Sequence, residues 1–121
     1  MISNNVINSF TVLKEQAGVS VTYTRGDRAV TLTAVPGETT FEIESGDVIE
    51  SAQSRDFLIL ASELILGGYA STPQRGDTIR EVIDGVEQVF DVRAPAGSNH
   101  FRFMDPYRNV LRIYTTQTSD N

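Results

Sequence analysis

The chain carries one histidine, His100, in the stretch GSNHFRF. Ser98 lies two residues before it, so on a strand both side chains would share a face. A nucleophilic triad needs a third group to orient the base, and nothing in the spacing supplies it. With no second histidine nearby and no cysteine, His100 reads as a loop or surface residue rather than a metal ligand. Carboxylates are more numerous. Glu42 and Glu44 share a strand face by parity, with Glu50 and Asp56 close behind. Paired carboxylates can hydrolyse glycosides, but the chain has no tryptophan and no aromatic platform for a sugar beside them. A solvated strand face is the simpler reading. GGYASTPQRGD lacks both the spacing and the lysine of a phosphate loop. SGD at 45–47 and DGVE at 84–87 offer too few ligands for a calcium loop. The absence of cysteine excludes disulfides, thiolate metal sites and thiol catalysis. No catalytic residue, metal or cofactor is therefore expected. An unsigned enzyme or small-ligand site around 42–56 remains the alternative from a different class.

Arg-Gly-Asp occurs twice, at 25–27 and 75–77. As an adhesion ligand it would need an extracellular protein, and MISNNVINSF shows neither the basic nor the apolar region of a signal peptide. As turn chemistry it is ordinary: glycine adopts positive φ cheaply and aspartate bonds its own following backbone. Both copies are expected to be turns that launch strands.

The elements that must position these residues follow from periodicity. Val6, Phe10, Leu13 and Ala17 recur at helical spacing, predicting one helix over about 4–17, capped by Asn4 or Asn5 and closed by Gly18. From there on the pattern is that of strands. VSVTYTR (19–25) and AVTLTAV (29–35) alternate about RGDR as a hairpin. A Pro-Gly turn at 36–37 should precede a separate strand with Phe41 and Ile43 on one face. Phe57 to Leu60 form a continuous apolar run, as in a strand buried on both sides. ASELILGGY (61–69) reads as a short helical turn capped by Ser62. TIREVIDGVEQVFDVR (78–93) is a hairpin over Asp84-Gly85. HFRFMD (100–105) alternates, and VLRIYTT (110–116) puts Leu111 and Ile113 opposite Val110, Arg112 and Tyr114. The expected fold is mainly β, a small β-barrel or sandwich with one N-terminal helix. One domain should span 1–121, with the β part over about 19–116 and a frayed tail at 117–121.

Net charge is −6, which argues against a general nucleic-acid binder. FLILASELIL (57–66) is too short and too polar to span a bilayer, so no membrane partner is expected and a cytoplasmic origin is the default. Charge is unevenly spread. Residues 36–56 hold Glu38, Glu42, Glu44, Asp47, Glu50 and Asp56 against Arg55. Residues 93–121 hold Arg93, Arg102, Arg108 and Arg112 against Asp105 and Asp120. Nine of the ten basic residues are arginine, which suits structured ion pairs and interfaces.

Within ESAQSRDFLILASELILGGYASTPQRGDTIREVIDGVEQVFDV (50–92), the order Pro73, Gly76, Asp77, Ile79, the turn Asp84-Gly85, then Val89, Phe90 and Val92 resembles the head–tail joining proteins of tailed phages and prophages, a group that includes head–tail connector, stopper and completion proteins. SRDFLI (54–59) and MDPYRNVLRIYT (104–115) look similar too, and the resemblance spans about 19–116. It implies a non-catalytic virion structural protein: a small barrel assembling as a ring, of six copies, between the head with its portal or adaptor and the tail. It further implies assembly in the host cytoplasm, a place in the virion neck, and DNA passing through the channel without specific binding. A tail-terminator or minor tail component on a similar barrel is the alternative. A ring needs two different patches that meet head to tail. The acidic stretch with Glu42, Glu44 and Glu50 and the arginines Arg93, Arg102, Arg108 and Arg112 are the candidate contacts. Arg75 is either an exposed turn residue or a contact to the next subunit.

Overall fold

The computed structural model describes residues 2–117, and the side chains from residue 8 onward. Helix α1 (Ile2–Ala17) leads into β1 (Val19–Arg25), β2 (Arg28–Ser45) and β3 (Val48–Leu60). The short strands β4 (Ile65–Leu66) and β5 (Tyr69–Ala70) follow, then β6 (Thr78–Ile83), β7 (Val86–Val92), β8 (Phe101–Phe103) and β9 (Val110–Gln117). Antiparallel pairing runs β3-β2-β1-β6-β7-β9, and β9 pairs back onto β3, from Arg55↔Thr115 to Leu60↔Val110. Those six strands form a closed barrel, which resolves the choice between barrel and sandwich. β8 takes up the edge of β9 where β7 leaves it.

Parity fills the inside. Val21 and Tyr23, Leu32 and Ala34, Phe57 and Ile59, Ile79, Phe90 and Val92, and Leu111 and Ile113 point inward as one cluster. The alternate residues of the FLIL run, Leu58 and Leu60, point outward and meet Val35, Val110 and Phe10 of α1. That strand is therefore covered on both sides, once by the barrel and once by the helix. Two-residue loops close the hairpins. Gly26 and Gly46, each the first loop residue, have φ of 61° and 64°. Asp84 and Gly85 are both at positive φ, 52° and 80°, the I′ pattern.

Three expectations need correction. The Pro36-Gly37 turn does not form; β2 runs straight through it, pairing Pro36 with Phe57 and Gly37 with Asp56. β1 pairs with β2 only as far as Ala34, so Pro36 has a strand neighbour on one side, an edge position that proline accepts. The 61–69 segment is not a capped helical turn. A single 3-10 turn, Ala61–Glu63, preceded by Leu60 without a side-chain cap, gives way to the β4–β5 hairpin over Gly67-Gly68. Leu64 and Leu66 turn inward and join the barrel interior. The helix spans Ile2–Ala17 and takes in Asn4 and Asn5, whose side chains, and with them the expected cap, lie outside the described residues. Of the described members of its expected stripe only Phe10 is buried, while Leu13 is 42% exposed and Ala17 is exposed. The side chain of Val6 lies outside the described residues. Instead α1 rests on Phe10 and on Lys14, whose ammonium lies 3.4 Å from Glu63. Gly18 does close the helix, its N–H donating to Lys14 O at 2.9 Å. A Cβ there would fall 2.4 Å from Lys14 O and 2.7 Å from Thr33 Cγ2, so no other residue fits. Of the tail expected over 117–121, Gln117 ends β9 opposite Phe90, and 118–121 lie outside the described residues.

β9 runs antiparallel to both β3 and β7, so the Gly46-Asp47 and Asp84-Gly85 turns extend toward the same end of the barrel. The β2–β3 ribbon reaches further. Among the described residues, Val48–Ser54 pairs with β2 alone, an overhang of about 20 Å at about 3.3 Å per residue.

Candidate assembly surfaces

Four acidic side chains are buried; three are satisfied by arginines from distant parts of the chain, and the fourth, Asp105, by donors four and five residues on. Asp77 of the second Arg-Gly-Asp is 3% exposed. It accepts from Tyr23 Oη, from Gln74 N at 2.9 Å, and from Arg25 Nε and Nη2 at 3.0 and 2.8 Å. Arg25 is the arginine of the first copy, so the two tripeptides are halves of one internal ion pair. Its Nη2 also donates to Thr72 O at 2.6 Å. Burial, reinforced by the Asp77 carboxylate, pushes the Tyr23 hydroxyl well above its ordinary pKa, and hydrogen bonding to Asp77 raises that of Arg25.

Asp56, fully buried, accepts from Arg112 Nε at 2.7 Å, Thr39 Oγ1 at 2.5 Å and Ser54 Oγ. Glu81 meets Arg55 from Nε at 3.1 Å and from Nη2 at 2.7 and 2.9 Å. The same guanidinium lies 5.5 Å from the Phe57 ring centroid and 5.6 Å from that of Phe90. This pair sits inside the barrel at the end from which the ribbons leave, since Arg55 shares parity with Phe57 and Glu81 with Ile79. Asp105 accepts from Asn109 N at 2.9 Å and Val110 N at 3.0 Å, fixing the turn before β9. Among the described residues no buried side-chain nitrogen or oxygen lacks a partner.

His100 is likewise structural. Its Nε2 lies 2.9 Å from Pro73 O, tying the loop before β8 to the one before β6. Ser98 is engaged elsewhere, its carbonyl accepting from Arg75 Nη2 at 3.2 Å. Among the described residues no three His, Asp or Glu side chains gather where a metal could sit.

The candidate contact residues divide by position. Glu42 and Glu44 share the ribbon face that continues the barrel interior, together with Ile49, while Glu50 lies on the opposite face beside Ile43. All three carboxylates are exposed. Glu50 thus faces away from Glu42 and Glu44, and Asp56 is held by Arg112. Arg102 and Arg112 lie opposite each other on β8 and β9. That like-charge pairing is tolerated because Asp56 takes Arg112 and Tyr114 Oη takes Arg102, at 3.0 Å from Nε. Arg108, at φ 60°, holds its guanidinium 5.2 Å from the Phe103 ring centroid. Arg75 and Arg93, both exposed, line one hollow floored by Ala94, Pro95 and Ala96 and bounded by Ala52 and Thr116. The acidic ribbon and the arginine-bearing wall are thus separate surfaces of one molecule. Sequence reading missed the ion pairs Arg25–Asp77, Arg55–Glu81 and Arg112–Asp56, which join residues 52, 26 and 56 positions apart. It also missed the exposed β-branched residues Val48, Ile49, Val82 and Val86 on the two ribbons, between 56% and 66% exposed. Their alternation was visible, but which of them the barrel would cover was not.

A closed barrel with an outer helix, internally matched buried acids and charged, apolar ribbons defines a small β-barrel protein built around its surfaces. A family profile described as Phage head-tail joining protein matches residues 5–121. The chain belongs to that family, and its role is that of a virion structural protein. The match is longer than the resemblance at 19–116 and takes in most of α1. No curated protein matches the chain.

Proposed function

We propose that copies of this chain close into a ring, of six, in the virion neck, assembling in the host cytoplasm and performing no catalysis. One side of the ring contacts the portal or an adaptor and the other a tail protein. DNA passes through the channel without specific binding. The observation carrying the ring is the division of charge: an acidic ribbon on one surface and exposed arginines on another, the two unlike patches that head-to-tail closure requires. Arg75, Arg93, Arg102 and Arg108 on the wall and Glu42, Glu44 and Glu50 on the ribbon are the contacts. A net charge of −6 disfavours grip on DNA and favours its passage.

Deleting the gene in its phage or prophage tests the reading. DNA-filled heads and complete tails, separate and unjoined, are the expected products. Joined infectious particles would sink it, and tails of aberrant length would move the protein to the tail end instead.

A further inference from the structure

The β2–β3 ribbon carries four acidic residues between 42 and 50, Glu42, Glu44, Asp47 and Glu50, and no basic one. On one of its faces Ile49 stands directly opposite Glu44, with Glu42 on the next rung of the same face. Ile49 is 66% exposed, an apolar knob beside Glu44 and diagonal to Glu42. The hollow beside β9 has the inverse arrangement: an apolar floor of Ala94, Pro95 and Ala96 with Arg75 and Arg93 at its rim. Among the described residues Arg75 has only the Ser98 carbonyl as a side-chain acceptor, at 3.2 Å, and a carboxylate is the stronger partner for a guanidinium. A chain cannot bring its own two surfaces together. Ala52, at the ribbon's base, already borders the hollow, and the ribbon points away from it along the strand direction.

We infer that the ribbon of one copy lies in the hollow of the next, with Ile49 on the Ala94–Ala96 floor and Glu42 and Glu44 paired to Arg75 and Arg93. This rests on the ring reading and names the contact that closes it. The match of an apolar centre and a charged rim is the usual anatomy of a protein interface, with the charges setting register and partner choice.

Charge reversal with rescue tests it in a deletion strain supplied with variant genes. Glu42→Arg with Glu44→Arg should lower infectious titre by about 100-fold or more, as should Arg75→Glu with Arg93→Glu, because each places like charges together. All four together should return the titre to within about 10-fold of wild type. Averaged images of wild-type necks accompany the titres. A ring of this chain without rescue, or without the initial loss, overturns the inference and leaves the ring standing. Necks without such a ring overturn both. Should a reversal fail to fold, Glu44→Cys with Arg93→Cys replaces it. The chain has no cysteine of its own, so within it a short bis-maleimide acts at these two positions alone. A ladder of linked copies from treated particles supports the contact, and single chains only overturn it.

Discussion

Asp77 illustrates how much a single buried carboxylate can organise. It gathers Tyr23, Arg25 and the backbone of Gln74, and so ties β1 to the entry of β6. Replacing it with Asn removes the charge that Arg25 faces and should cost about 1.5–3 kcal/mol in chemical denaturation. A change below about 0.5 kcal/mol would contradict the arrangement. Tyr23 carries a pH signature. Its folded pKa lies above the ordinary value of 10.0, so the folded state keeps a proton that the unfolded chain releases. The stabilisation is complete below that ordinary value and is lost as pH rises past it. The denaturation midpoint should fall steadily as pH rises above the ordinary value of 10.0, and Tyr23→Phe should flatten that fall. An unchanged slope in the variant would remove Tyr23 as its source. Arg75→Ala should leave the melting curve intact, since the exposed guanidinium holds a single carbonyl. At this scale the sequence was half legible. Gly76-Asp77 reads as a turn because the backbone chemistry is local. That its carboxylate faces inward toward Arg25 depends on strands brought together by folding, which no local pattern encodes.

Among the elements, hairpins were the most legible. Asp84-Gly85 and Gly26-Asp27 lie between alternating runs, and both sides of each hairpin are set by parity. Pro36-Gly37 misled because the same dipeptide makes a turn or sits at a strand edge, and its neighbours decide which. The helix misled differently. Its apolar spacing was helical, but among its described side chains only Phe10 is buried, against Val35 and Val110 on the barrel's outer wall. Phe10→Ala should therefore undock α1 at a cost of about 3 kcal/mol, seen as faster hydrogen exchange in α1 with barrel amides still protected. Equal loss of protection in both would mean that helix and barrel unfold together. The ribbon is separable in another sense. Replacing residues 42–51 by Asn-Gly, which closes the hairpin at the Phe41–Ala52 rung, should keep the melting temperature within about 5 °C and abolish head–tail joining. Retained joining would show that the ribbon is dispensable.

For the whole molecule, β-rich composition and turn spacing left barrel and sandwich equally open. Closure depends on β3 pairing with β9 across 50 to 60 residues, from Leu60↔Val110 to Arg55↔Thr115, and alternation is identical in either fold. The family was more legible than the topology. The motif residues carrying the family resemblance turn out to be the positions that hold the barrel: Pro73 anchors His100, Asp77 pairs with Arg25, and Ile79, Phe90 and Val92 fill the interior. The surfaces proposed for assembly sit elsewhere, on exposed ribbon and wall residues that follow no motif. The central claim is that this chain is the missing link between finished heads and finished tails, and in vitro complementation tests it most directly. A lysate of the deletion strain is mixed with the purified protein and infectious particles are counted. The account predicts that titre rises with added protein as heads and tails join. A titre that stays at background, with intact heads and tails present and the protein folded, would contradict it.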